Sequence, residues 1–219
     1  MVRALPLLRK LEFSEPEGRC STRSGKIKRV VLDTSLFVNP EVRHSLGGTP
    51  TEAFTRFLSL AGEARETLEF YMPPSIFEEL MNFVNEEAIT GELLLHLNQK
   101  PPSMLNIKVP SMLLYEFVEE MRDRVNKGLR IAEKAVRGAS SGETDAVVKD
   151  LRRKYRDALR EGILDSKEDV DLIMLAYELD ATLVTADKGA THWAEKLGVT
   201  WLLPEKFTEF VEAAIKEKR

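Results

Sequence analysis

Apolar and polar positions along the 219-residue chain follow two periods. "RVVLD", "TLEFYM" and "ATLVTAD" are short runs rich in apolar and β-branched residues that stop at turn residues, the pattern of buried strands. Between them, apolar residues return every three or four positions, as on a helix with one buried face. Strand one is predicted at Arg29–Asp33, followed by a loop with Pro40, Gly47, Gly48 and Pro50. "TPTEAFTRFLSLAGEA" predicts a helix capped by Thr51, and strand two follows at Leu68–Met72. After Pro73-Pro74, a helix capped by Ser75 is predicted, with Ser75 and Glu78 forming a capping box.

Residues 91–160 are helical by pattern, broken at "KPPS" and "RGASSGET". "PSMLLYEFVEEMRDRVNKGLRIAEKAV" and "TDAVVKDLRRKYRDALREG" are both long, the first amphipathic and the second with Thr144 as its cap. Joined by a Gly/Ser turn, they predict a helical hairpin. A helix over "SKEDVDLIMLAYELD" then leads to strand three at Thr182–Ala186. A short helix over "KGATHWAEKLG", strand four in "VTWLLP" and a C-terminal helix with Pro204 in its first turn complete the chain. Near residues 4–12 a short helix or strand is predicted, then a link. Strands alternating with helices imply an α/β fold, a parallel sheet covered on both faces. The predicted division is an N-terminal extension over 1–28, one domain from 29–90 with 161–219, and an inserted helical subdomain over 91–160.

Composition narrows the class. With 43% apolar and 31% charged residues, the chain is ordinary for a soluble domain. No apolar run approaches the ~20 residues of a membrane span, and "MVRALPLLRKLEF" is too short and charged for a signal peptide. A cytoplasmic protein with no membrane partner is expected. A single cysteine, Cys20, excludes an internal disulfide framework, and three scattered histidines (His44, His96, His192) argue against a two-histidine zinc hydrolase. One glutamine, Gln99, against many Glu, Lys and Arg resembles thermophile composition. The net charge of −4 hides an uneven distribution: residues 91–160 carry 14 Lys+Arg against 10 Asp+Glu, and residues 1–28 carry 7 against 3. An acidic body with basic segments can hold a cation and a polyanion at once.

The carboxylates supply the candidate chemistry. Ligands of open parallel sheets collect at the carboxyl ends of the strands. Asp33 ends strand one and Asp187 follows strand three, so both should meet at one sheet edge. Asp165 and Asp169 are spaced i, i+4 and share a face if that turn is helical. Asp171 should point elsewhere, and Glu78 lies in the first turn of its helix. Each acid also has a local reading: Asp33 and Asp187 as turn residues, Asp165 as a cap, Asp169 as a dipole-favoured acid, Glu78 as half of a capping box. Clustered, four carboxylates suit a hard divalent ion, Mg²⁺ or Mn²⁺. Such a site polarises a phosphodiester and activates water with no organic cofactor. Thr34, Ser35 and Thr185 are placed to orient the carboxylates, with Glu78 and Asp171 as further candidates for that supporting role.

The order "VVLDTSLFVNP", "PPSIFEEL", "DVDLIMLAYELDATLVTADKGA" resembles the PIN-domain nucleases, over roughly residues 29–90 and 160–204. "LDTSLFVNP", a long helical insertion and the spacing of Asp165, Asp169 and Asp187 are similar to one subgroup, the protein-only RNase P group. That group is the homologs of Aquifex RNase P, also called RNA ligase partner proteins. The resemblance implies a PIN-like three-layer fold and removal of the 5′ leader from precursor tRNA with Mg²⁺ or Mn²⁺. It implies Asp33, Asp165, Asp169 and Asp187 as metal-binding acids. It also implies assembly into homo-oligomers through the helical hairpin. Residues 1–28 depart from the subgroup's pattern. Phosphate contacts to structured RNA are expected from the basic hairpin, with Arg130, Arg152, Arg153 and Arg156 as candidates. A solvated helix face is the plainer reading of the same charges. A PIN-type toxin, a general RNA-decay nuclease and a non-catalytic RNA-binding partner stand as alternatives.

Overall fold

The computed structural model describes residues 27–138, 144–160 and 166–217. The predicted element near 4–12, the Gly/Ser turn of the hairpin and Asp165 lie outside the described residues. Among these, five parallel strands form one sheet: β1 (Lys28–Leu32), β2 (Leu68–Met72), β3 (Leu97–Gln99), β4 (Thr182–Val184) and β5 (Trp201–Leu202), in the order β3-β2-β1-β4-β5. β1 lies at the centre, with Val31 opposite Tyr71 of β2 on one side and Leu183 of β4 on the other. Val30, Val31 and Leu32 are fully buried, as a strand covered on both faces requires.

One face carries α2 (Pro50–Ala64) and α9 (Phe207–Lys216). The buried residues of α2 include Phe54, Phe57, Leu58 and Ala61, one helical stripe. Phe54 and Phe57 join Phe37, Phe70 and Phe207 in an aromatic cluster with neighbouring ring centroids 5.2 to 6.1 Å apart, within the range of favourable aromatic pairs. The other face carries α7 (Lys167–Leu179), which packs on β1 and β4 and is flanked by α3 (Pro74–Met81) and α8 (Lys188–Leu197). Leu172 to Ala176 are buried without a break. α7 is apolar on every side at its middle because it is enclosed between the sheet and its neighbours.

Several local readings are corrected. Thr49, not Thr51, caps α2: its Oγ1 accepts from the Glu52 amide at 3.2 Å, and Glu52 Oε2 accepts from the Thr49 amide at 3.3 Å. Pro50 lacks an amide hydrogen and suits the first helical position, so the cap falls on the residue before it. The same logic places Pro74 first in α3 and Pro73 as its cap, so no Ser75–Glu78 capping box forms. The Ser75 hydroxyl instead donates to Asp171 Oδ2 at 3.0 Å. Pro204 opens a 3₁₀ turn, and α9 begins at Phe207. "SLFV" forms a short helix, α1 (Ser35–Val38), and another, α4 (Gly91–Leu94), precedes β3. β3 itself escapes the sequence pattern because its three residues bury Leu97 alone. It lies within the stretch read as an inserted helical subdomain, yet extends the central sheet beside β2.

α5 (Ser111–Gly138) and α6 (Thr144–Arg160) pack on each other as a hairpin. Gly128 lies against α6: a Cβ there would meet the Tyr155 ring at 2.5 Å.

Candidate active site

The order of strands sets the place of the site. From β1 the chain builds outward to β2 and β3, then returns to add β4 and β5 on the other side. Open α/β sheets bind ligands at the carboxyl ends where that direction switches. Here the switch lies between β1 and β4. Asp33 follows β1, and Thr185, Ala186 and Asp187 follow β4. The first turns of α7 and α3 complete a cleft of about 750 Å³ lined by Asp33, Asp169, Asp187, Glu78, Glu79 and Glu168, with Thr34, Ser75, Ile76, Asn82 and Ser166 between them. Among the described residues, six carboxylates and no Lys or Arg line it.

Asp33 is held more closely than the others. Its residue is 9% exposed. Its backbone amide donates to Val184 O at 3.1 Å, the last rung between β1 and β4. Its Oδ2 accepts from Ser35 Oγ at 2.6 Å and from Thr185 Oγ1 at 2.7 Å, and its Oδ1 accepts from Thr34 Oγ1 at 3.3 Å. Two of those hydroxyls are themselves oriented from the β4–α8 turn. The Ala186 amide donates to Ser35 Oγ at 3.1 Å, and the Asp187 amide donates to Thr185 Oγ1 at 3.0 Å. Thr185 is fully buried, so its hydroxyl has no water to exchange for these partners. The carboxylate of Asp33 is thereby fixed relative to the backbone that carries Asp187.

Asp187 caps α8, with Oδ1 accepting from the Ala190 amide at 2.7 Å. Asp169 sits in the first turn of α7. It accepts from Ser166 Oγ at 2.8 Å while its amide donates to the same oxygen at 3.0 Å. Glu79 and Glu168 are the cleft acids that sequence reasoning missed. Burial pushes the Glu79 carboxyl up, and the nearby charges of Asp33 and Glu168 push in the same direction. The capping box offered Glu78 a local role instead of one in the site; with the cap at Pro73 that role falls away, and both Glu78 and Glu79 reach the cleft lining. Asp171 accepts from Ser75 and does not line the cleft.

Residues 29–216 match the family model of the PINc domain ribonuclease. "RNA-free ribonuclease P" of Thermodesulfovibrio yellowstonii is 50% identical over 190 residues, which are 87% of this chain and 96% of that protein. The protein of the same name from Pyrococcus abyssi is 50% identical over 191 residues, 86% of this chain and 94% of its own. That from Halorhodospira halophila is 43% identical over 180 residues, 81% and 86% of the two chains. The chain belongs to the RNA-free ribonuclease P family of PIN-domain ribonucleases.

As a PIN ribonuclease it is an endoribonuclease, and nucleases of this kind generally use divalent metal ions. The donor set here fits such an ion. Among the described residues it is made of carboxylates, hydroxyls and the Asn82 amide, with no His or Cys in the cleft lining, the hard-oxygen environment that Mg²⁺-type cations prefer. The like-charge crowding felt by Glu79 is the repulsion a cation would relieve. Among the described residues, no three of these acids converge into a ready-made cage. Asp33, Asp169 and Asp187 each have a carboxylate oxygen engaged by a local donor instead. Arg130, Arg152, Arg153 and Arg156 stand on the hairpin and do not line the cleft. All four are exposed. Arg153 pairs with Asp150 at 2.6 Å, and Arg156 Nε donates to Arg152 O at 3.3 Å.

Proposed function

We propose that this endoribonuclease cuts precursor tRNA at the 5′ boundary of the mature sequence. Water attacks phosphorus, the bond to the leader's 3′ oxygen breaks, and the mature tRNA keeps the 5′-phosphate. The observation that carries this reading is the carboxylate-rich cleft at the β1/β4 switch in a chain about half identical to proteins named RNA-free ribonuclease P.

Asp33, Asp165, Asp169 and Asp187 would hold Mg²⁺ or Mn²⁺, which when bound supplies Lewis-acid activation of water and phosphate. Asp33 acts through an orientation set by Thr34, Ser35 and Thr185. Glu79, whose carboxyl is raised, is suited to orient water or take up its proton. Asp171 supports α3 through Ser75.

The basic hairpin grips the tRNA body through phosphate contacts from Arg130, Arg152, Arg153 and Arg156. Recognition of RNA by backbone and shape is the usual mode for helical regions. The hairpin also serves as the surface for self-association, forming a subdomain inserted between the two halves of the nuclease domain. Met112, Val118, Met121 and Phe117 are 42 to 58% exposed on α5, and a second copy would remove them from water. No helix among the described residues is long and apolar enough to cross a membrane, and the protein works in the cytoplasm with its substrate. Incubation with precursor tRNA and with unstructured mRNA tests the reading. Single cuts at the mature 5′ end support it, and equal cutting of both RNAs points to a general RNA-decay nuclease.

A further inference from the structure

We infer that Lys196 is a positioning residue: it locks the foot of the basic hairpin to α8 and so sets which phosphate reaches the acidic cleft. This rests on the tRNA-processing reading above. α8 begins at Asp187 in the cleft and ends near Lys196, about 14 Å further along the helix axis. There Lys196 Nζ donates to Glu116 Oε2 at 2.9 Å and to Glu120 Oε1 at 2.7 Å. Glu116 and Glu120 are one turn apart on α5, so one cation clamps two successive steps of that helix.

The junction is more than a surface ion pair. The Lys196 and Glu120 side chains are only 22% and 20% exposed. The ammonium also lies 4.9 Å from the Trp193 ring centroid, and Trp193 contacts Phe117 of α5 with centroids 6.4 Å apart. His192 Nε2 stands 3.4 Å from Glu120 Oε1 on the same side. Burial disfavours the charge on Lys196, yet its hydrogen bonds to Glu120 and Glu116 outweigh that and hold the ammonium protonated. Attraction between such partly desolvated groups exceeds that of an exposed pair.

Leverage makes this joint matter for the reaction. α5 has 28 residues and is about 42 Å long. A tilt of ~10° at its foot would move its far end by roughly 7 Å, about two phosphate steps at ~3.4 Å of axial spacing along one strand. The same helix, α8, carries Asp187 at one end and the hairpin's anchor at the other. A rigid joint therefore converts a grip on the tRNA body into a fixed distance to the cut.

The test compares the wild-type full chain with Lys196→Ala, and with a charge-swapped variant carrying Lys196→Glu, Glu116→Lys and Glu120→Lys. Steady-state and single-turnover cleavage of precursor tRNA are measured, the product 5′ end is mapped, and thermal melting checks folding. The Lys196→Ala variant is expected to raise KM about tenfold and to spread cuts to neighbouring phosphates, with the saturating single-turnover rate within about twofold of wild type. The swapped variant is expected to restore both KM and the single cut site. Wild-type KM and an unchanged cut site in a folded Lys196→Ala variant would overturn the inference. So would a fall in rate alone with cutting still confined to one phosphate, or a swapped variant that folds but rescues neither property. A wild-type protein that does not cut precursor tRNA at the 5′ boundary would instead sink the functional reading on which the inference rests.

Discussion

Thr185 is the residue on which the geometry of Asp33 depends most. Its hydroxyl donates to the carboxylate and accepts from the Asp187 amide, and it is fully buried. Thr185→Val keeps the shape and deletes both hydrogen bonds, leaving the Asp187 amide and the buried Asp33 carboxylate each short of a partner. The expected cost is about 1–3 kcal/mol of stability and a loss of about 10- to 100-fold in cleavage rate. Thr185→Ser should retain most of both. Denaturant melts beside single-turnover cleavage check this, and a fully active valine variant would remove the hydroxyl from any orienting role. Asp33 and Asp187 were readable as carboxylates at strand ends because a buried strand has little reason to stop on an unpaired charge. Glu79 was not readable, because Glu78 and Glu79 are adjacent and a cap expected at Ser75, two residues past the observed Pro73, leaves pattern no means of choosing between them.

Elements hold together through contacts that pattern alone does not reveal. Glu178, near the end of α7, accepts from Lys100 Nζ, from the Ser103 amide at 2.7 Å and from Ser103 Oγ at 3.0 Å. It thus ties α7 to the segment after β3. Burial alone would raise its carboxyl, but these donors, Lys100 first, hold it below its ordinary value of 4.5. A depressed carboxylate contributes stability above its unfolded pKa and loses it as pH falls through the folded one. The stability gap between wild type and Glu178→Gln should therefore be constant above about pH 6 and shrink as pH drops below about 4.5. Thermal melts across that range measure it, and a gap that widens at low pH would contradict the assignment. The long helices and β1, β2 and β4 were legible because burial on one or both faces writes a period into the sequence. β3 was not, since three edge residues carry no period, and the caps at Thr49 and Pro73 were displaced because proline at the first helical position outweighs a nearby hydroxyl.

At the scale of the whole molecule, charge is segregated. The cleft is lined by six acids, and the arginines stand apart on α5 and α6. On the proposed reading, RNA would bridge the two, held by phosphate contacts on the hairpin while one phosphate enters the acidic cleft. Arg152→Ala with Arg153→Ala should weaken precursor-tRNA binding and flatten its dependence on salt, lowering the log–log slope by about 1 to 2. Filter binding across a salt series reads this, and an unchanged slope would return those arginines to the role of a solvated helix face.

The most direct measurement is cleavage of a 5′-labelled precursor tRNA with product-end mapping, run on wild type and on Asp33→Asn with binding measured in parallel. The account predicts one cut at the mature 5′ end by wild type. It predicts cleavage reduced at least about 10³-fold in Asp33→Asn, with RNA affinity close to wild type. Normal turnover by Asp33→Asn, or wild-type cutting at scattered sites, would contradict it.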